Sequence, residues 1–124
     1  MDFERKFQNW LDEALKEPIP SSVKAFSFNL FEYHQTPEVM FGVELVGTST
    51  FDETNSDWAC DEVWEPRTRS LEIPLTFSTR NWEECLKKIK LQVINYLNAE
   101  SLLNGKFGVG IGFVDGDLEL IWRA

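Results

Sequence analysis

Few side chains in this 124-residue chain combine type and spacing in a way that could do chemistry. Nucleophilic catalysis by serine or cysteine needs a neighbouring base. The single histidine, His34, sits in YHQTPE between two predicted strands, where a plain surface role fits better than catalysis or metal binding. Cys60 and Cys85 match no metal or redox spacing. Cys85 falls on a predicted helix stripe and reads as core. Carboxylates are plentiful, and a pair in a cleft could run acid–base chemistry as in glycosidases, but no pair is singled out. DETNSD (52–57) has the spacing of oxygen ligands, yet it lacks the central glycine and terminal glutamate of a calcium loop. Asp115-Gly116-Asp117 reads as a turn. No catalytic residue, metal or cofactor is expected.

One stretch remains: FDETNSDWACDEVWEP, residues 51–66. It carries Asp52, Glu53, Asp57, Asp61, Glu62 and Glu65, contains no Lys, Arg or His, and includes Trp58 and Trp64. Carboxylates packed so closely repel one another unless a partner neutralises them. Aromatic side chains are enriched at the centres of interfaces, and a ring of acids steers a basic partner in. These eight residues are the candidate partner-binding set. The bland alternative is a solvated loop whose tryptophans fold into the core.

Composition agrees with that partner class. The net charge is −9, so the chain repels nucleic acid and anionic membranes. Its basic residues are few and dispersed. Hydrophobic residues make up 43% and aromatic residues 14%, which supports a packed core in one domain spanning 1–124. Roughly two-thirds of the unfolded surface should be buried in a chain of this size. No apolar run approaches the roughly 18 residues of a membrane span. The acidic start MDFERKFQNW is unlike a signal peptide, and free thiols then point to the cytoplasm.

The elements that must position the acidic stretch follow from periodicity. Phe3, Phe7, Trp10, Leu11, Ala14 and Leu15 form one helical stripe over 3–15, stopped by Pro18 and Pro20. Phe26, Phe28 and Leu30 alternate with Ser27 and Asn29; Val39, Phe41, Val43 and Leu45 continue the pattern. An antiparallel hairpin with strands near 23–33 and 39–48 is expected. Trp58–Trp64 reads as a short strand with Trp58, Cys60 and Trp64 inward and Asp57, Asp61 and Glu65 outward. Leu71, Ile73 and Leu75 alternate around Pro74, which marks an edge or an end.

Trp82, Cys85, Leu86, Ile89, Val93, Tyr96 and Leu97 predict a longer helix near 81–98, capped by Asn81 with Glu84, or by Thr79. Asn104-Gly105 predicts a turn. In the closing FGVGIGFVDGDLELIWRA, Asp115-Gly116 predicts a two-residue hairpin turn. That register sets Phe113 against Leu118, Ile111 against Leu120 and Val109 against Trp122. Gly108, Gly110 and Gly112 leave one strand face bare, ready for a closely packed helix or aromatic rings, with a ligand platform as the alternative. The class is α+β: a mostly antiparallel sheet of five to six strands with the two helices packed on it.

DWACDEVWEP (57–66) resembles segments of the small acidic immunity proteins of bacterial toxin systems. GFVDGDLELIW (112–122) is similar to the closing hairpin of small bacterial α+β proteins. The resemblance implies a non-enzymatic protein that binds one cognate toxin, often a basic nuclease. Asp52, Glu53, Asp57, Asp61, Glu62 and Glu65 would then be contacts, and Trp58 or Trp64 an anchor. A monomer or weak dimer is expected. The alternatives are a small-molecule binder or enzyme with a carboxylate-lined cleft, and a homo-oligomeric structural or adaptor protein.

Overall fold

The computed structural model describes residues 2–98 and 106–124. Helix α1 runs Phe3–Lys16, started by the Asp2 carboxylate, which accepts the Arg5 N–H at 2.9 Å. The six stripe residues are all buried. Strands β1 (Ala25–Thr36) and β2 (Val39–Thr48) form the antiparallel hairpin, with Phe28 opposite Leu45. A one-turn 310 helix at Ser56–Cys60 leads into β3 (Glu62–Trp64) and then β4 (Ser70–Pro74). Two helices follow, α2 (Leu75–Ser78) and α3 (Trp82–Asn98). Strands β5 (Gly108–Phe113) and β6 (Glu119–Arg123) complete the chain.

The architecture is α+β: a six-stranded, mixed but mostly antiparallel sheet with α1 and the longer α3 on it. The order is β3-β2-β1-β5-β6, and β4 also pairs with β2. Along its outer edge β2 takes β4 at Val39–Glu44 and β3 at Gly47–Thr48. Among the described residues the one parallel pair is β1 with β5, Phe26 opposite Val109. Parallel neighbours need a crossover, and α3 lies within it.

One sheet face holds the core. Phe26, Phe28, Leu30, Phe41, Val43, Leu45, Ile73, Val109 and Ile111 are essentially without solvent contact. They pack with Phe7 and Leu11 of α1 and with Cys85, Ile89 and Val93 of α3. Each large apolar side chain so buried contributes about 1.5–3 kcal/mol, so this layer dominates the fold. Polar ties hold the helices in place: Tyr96 Oη donates to Asp12 at 2.6 Å, and Lys88 Nζ donates to the Phe77 carbonyl at 2.9 Å.

Several expectations are corrected. Leu75 is not in a strand; Pro74 ends β4 and Leu75 opens α2. Asn81 does cap α3, accepting the Glu84 N–H at 3.0 Å, while its own N–H goes to Thr79 Oγ1 rather than to Glu84. Trp82 is 53% exposed, because it is the first helical residue and rests on Phe113 rather than on the interior of the sheet. The predicted Asn104-Gly105 turn lies outside the described residues.

The last hairpin is wider than a two-residue turn. Gly116 does not take a positive φ, which that turn requires, and residues 114–118 all lie outside the strands. A register shift sets Ile111 against Glu119 and Gly110 against Leu120, although Val109 does oppose Trp122. Leu118 explains the difference: its methyls fold over Gly110 instead of facing Phe113 across a ladder.

Candidate functional site

The acidic segment is a strap across the sheet face that the helices leave free. Its path is fixed by short polar side chains. Asp52 Oδ1 accepts from both the N–H (2.9 Å) and the hydroxyl (2.7 Å) of Thr54, which hold its carboxyl below the usual carboxylate range. Asn55 Oδ1 accepts the Asp57 N–H at 3.0 Å and starts the 310 turn. The Asp61 carbonyl accepts the Ser49 N–H at 2.9 Å, and Thr50 Oγ1 donates to Asp61 Oδ2 at 2.5 Å.

Two aromatic rings seat the strap on the bare glycine face of β5. A β-carbon on Gly108 would stand 2.3 Å from the Phe51 ring, and one on Gly110 would stand 3.0 Å from Trp58. Phe51 and Trp58 meet edge to face at 5.2 Å. A β-carbon on Gly112 would stand 2.5 Å from the Asp117 carbonyl oxygen. The glycine face is thus filled by rings and by the 117–118 loop, not by a helix.

The two tryptophans of the segment lie on opposite sides of the sheet. Trp58 is 4% exposed and covers β5. Trp64, opposite Gly47, reaches the helix side and meets Phe26 edge to face at 6.0 Å. The expectation of one inward-facing strand from Trp58 to Trp64 is therefore corrected: 56–60 is helical and only 62–64 is strand. Cys60, expected to be buried, is exposed at the end of the 310 turn.

Three of the segment's six carboxylates, Glu53, Glu62 and Glu65, are met by bases. Arg69 Nε donates to Glu44 Oε2 at 2.9 Å; its terminal nitrogens donate to Glu62 at 2.5 and 2.8 Å and to Glu65. The guanidinium holds the Glu62 carboxyl below its usual range, and the three acids push the Arg69 pKa further up. The network continues inward: Asn29 Nδ2 donates to Glu44 Oε1 at 3.2 Å, and Ser27 Oγ donates to Asn29 Oδ1 at 2.7 Å. Glu53 pairs with Arg123 at 3.1 Å.

The structure therefore divides the candidate set. Glu62 and Glu65 are gathered at Arg69, and Glu53 is held at the C-terminal strand. Asp52, Asp57 and Asp61 are exposed, and none has an ion-pair partner among the described residues. One guanidinium among three carboxylates leaves that cluster at −2, so the surface stays acidic. Sequence reasoning missed Glu44, Arg69 and Arg123. Arg69 lies four residues beyond Glu65, just outside a window drawn where the acids ended; nothing in the sequence ties Arg123 to Glu53.

Further along the same face, Tyr33 Oη donates to Glu72 at 2.6 Å, which raises the tyrosine pKa, and the Phe31 ring covers Gly42. Among the described residues no group of three or more His, Cys, Asp or Glu is placed to hold a metal ion, and no helix is long and apolar enough to cross a membrane. No protein-family model matches the chain, and neither a curated protein nor a solved structure matches it.

Proposed function

We propose that this chain is a non-enzymatic binding protein that captures a basic protein partner, and that the partner is a toxin domain such as a nuclease. The toxin class rests on the resemblance to acidic immunity proteins. The observation that carries the binding role is the strap itself: exposed Asp52, Asp57 and Asp61, beside Glu53, Glu62 and Glu65, held on a sheet face by half-buried Phe51 packed against buried Trp58. Such a surface is rigid before binding, which lowers the ordering cost of association. Trp58 and Trp64 serve from beneath, by fixing the strap. A cytoplasmic monomer or weak dimer fits this role.

The glycine-faced strand supports no small-molecule cleft, because Phe51, Trp58 and Leu118 occupy that space. The direct test is affinity capture from lysate of the source cells, followed by titration of the captured protein. Replacing Asp52, Asp57 and Asp61 together by Lys should weaken binding by at least about 2 kcal/mol, and wild-type affinity should fall with salt. Unchanged affinity in the triple variant would sink the assignment of this surface.

A further inference from the structure

A second surface carries its own signature, at the junction of α3 with the β5–β6 loop. Trp82 is half-exposed yet firmly seated: its ring meets Phe113 edge to face at 5.7 Å, and Phe113 meets buried Phe41 at 5.5 Å. Beside it opens a groove of about 550 Å³, within the rough 300–1,000 Å³ range of ligand clefts. Its apolar wall is Trp82, Leu86, Phe113 and Leu118, and its rim is Asp115, Asp117 and Glu119. Glu119 pairs with Lys90. The Asp115 and Asp117 carboxylates have no hydrogen bond or ion pair among the described residues. Val114, 64% exposed, stands on the same loop.

We propose that this groove takes an arginine or lysine side chain from an extended basic segment of a protein partner. An indole beside unpaired carboxylates is the chemistry that recognises a guanidinium or ammonium: the ring attracts the cation and the acids accept its N–H groups. The same acids repel phosphates and carboxylates. On the far side of Trp82 the adjacent hollow is lined by Lys87 and Lys90 together with Glu83 and Glu119, whose charges balance. The occupant's cation is drawn to the loop side, where the Asp115 and Asp117 charges are not balanced. The site abuts the strap, since Leu118 of its wall and Trp58 close the same space over Gly110, but it uses none of the strap's carboxylates and shares with the proposed function only the basic character of the partner.

The probe is the tripeptide N-acetyl-Gly-Arg-Gly-amide, titrated into the ¹⁵N-labelled chain. The Trp82 indole N–H, assigned with Trp82→Phe, and the amides of 113–119 should shift saturably. A citrulline tripeptide, which keeps the shape but not the charge, should bind about tenfold more weakly, and so should the arginine peptide to the Asp115→Asn/Asp117→Asn variant. Both aspartates are exposed, so the variant's spectrum should otherwise superimpose on that of wild type. Equal binding of the two peptides, unchanged binding by the double variant, or no saturable shift at 113–119 overturns the proposal. Shifts confined to 52–61 would also overturn it while upholding the strap. Saturable shifts at 113–119 that the Asp115→Asn/Asp117→Asn variant weakens would uphold the groove whatever the strap does.

Discussion

Trp58 Cζ2 lies 3.0 Å from the point where a β-carbon on Gly110 would stand, and two Leu118 methyls close the same space at 3.2 and 3.3 Å. The acidic strap and the last hairpin therefore meet over one missing side chain. Alanine in a strand gains about 0.5–1 kcal/mol over glycine, but overpacking costs about 1–3 kcal/mol. Gly110→Ala should destabilise by about 1 kcal/mol in urea unfolding. Gly112→Ala should cost more, because a backbone oxygen stands at 2.5 Å, and Gly116→Ala should be near neutral, with its nearest neighbour at 3.6 Å.

Arg69 should make part of the stability acid-sensitive. The Glu62 carboxyl is depressed in the folded state by the Arg69 hydrogen bonds. Its contribution is fully present above the ordinary carboxylate value of about 4.3 and is lost as pH falls through the lower folded value. Solvent screening limits that contribution to about 1 kcal/mol. Arg69→Met should lower stability at neutral pH, by about 1–3 kcal/mol as half-buried Glu44 loses its partner. It should also flatten the loss between neutral pH and pH 3. Thermal unfolding of both proteins across that range measures it; parallel curves would refute the coupling.

The two thiols should react at very different rates. Burial pushes the Cys85 thiol up to about 12, whereas Cys60 is exposed. The thiolate is the reacting form, so a disulfide reagent at pH 8 should titrate one thiol quickly and the second only as the chain unfolds. Cys60→Ser should abolish the fast phase. Two fast thiols would show that α3 does not seal Cys85.

Thr79 joins α2 to α3 at φ 60 and ψ −173, a region that a β-branched residue adopts only under strain of about 1–3 kcal/mol. Thr79→Gly relieves it, at the loss of the bond from the Asn81 N–H, 3.2 Å long, and of about 0.5–1 kcal/mol in chain entropy. A net gain of about 1 kcal/mol, read as a raised Tm, is the expected outcome. A lowered Tm would mean that the hydroxyl outweighs the strain.

Periodicity made α1, the β1–β2 hairpin and most of α3 legible, because burial on one face imposes a repeat of 3.6 or 2. It failed where spacing was accidental. Trp58, Cys60 and Trp64 stand two and four residues apart, as on one face of a strand, but Asp52 and Asn55 accept from the amides two residues on and turn the chain first. Trp82 fits the helical stripe, yet a stripe does not say where the sheet beneath it ends. The acids looked unpaired because their bases, Arg69 and Arg123, lie outside the run. The pairing of β1 with β5 left no mark either, because parallel neighbours share no turn.

That same pairing orders events during synthesis. The β1–β2 hairpin and β4 can assemble as they emerge, but the other edge of β1 waits for Gly108–Phe113. Until then an aromatic-rich strand offers open backbone groups to any passing chain. Such non-local closure is slow, so the half-made protein is most prone to aggregate in the interval before its glycine strand arrives.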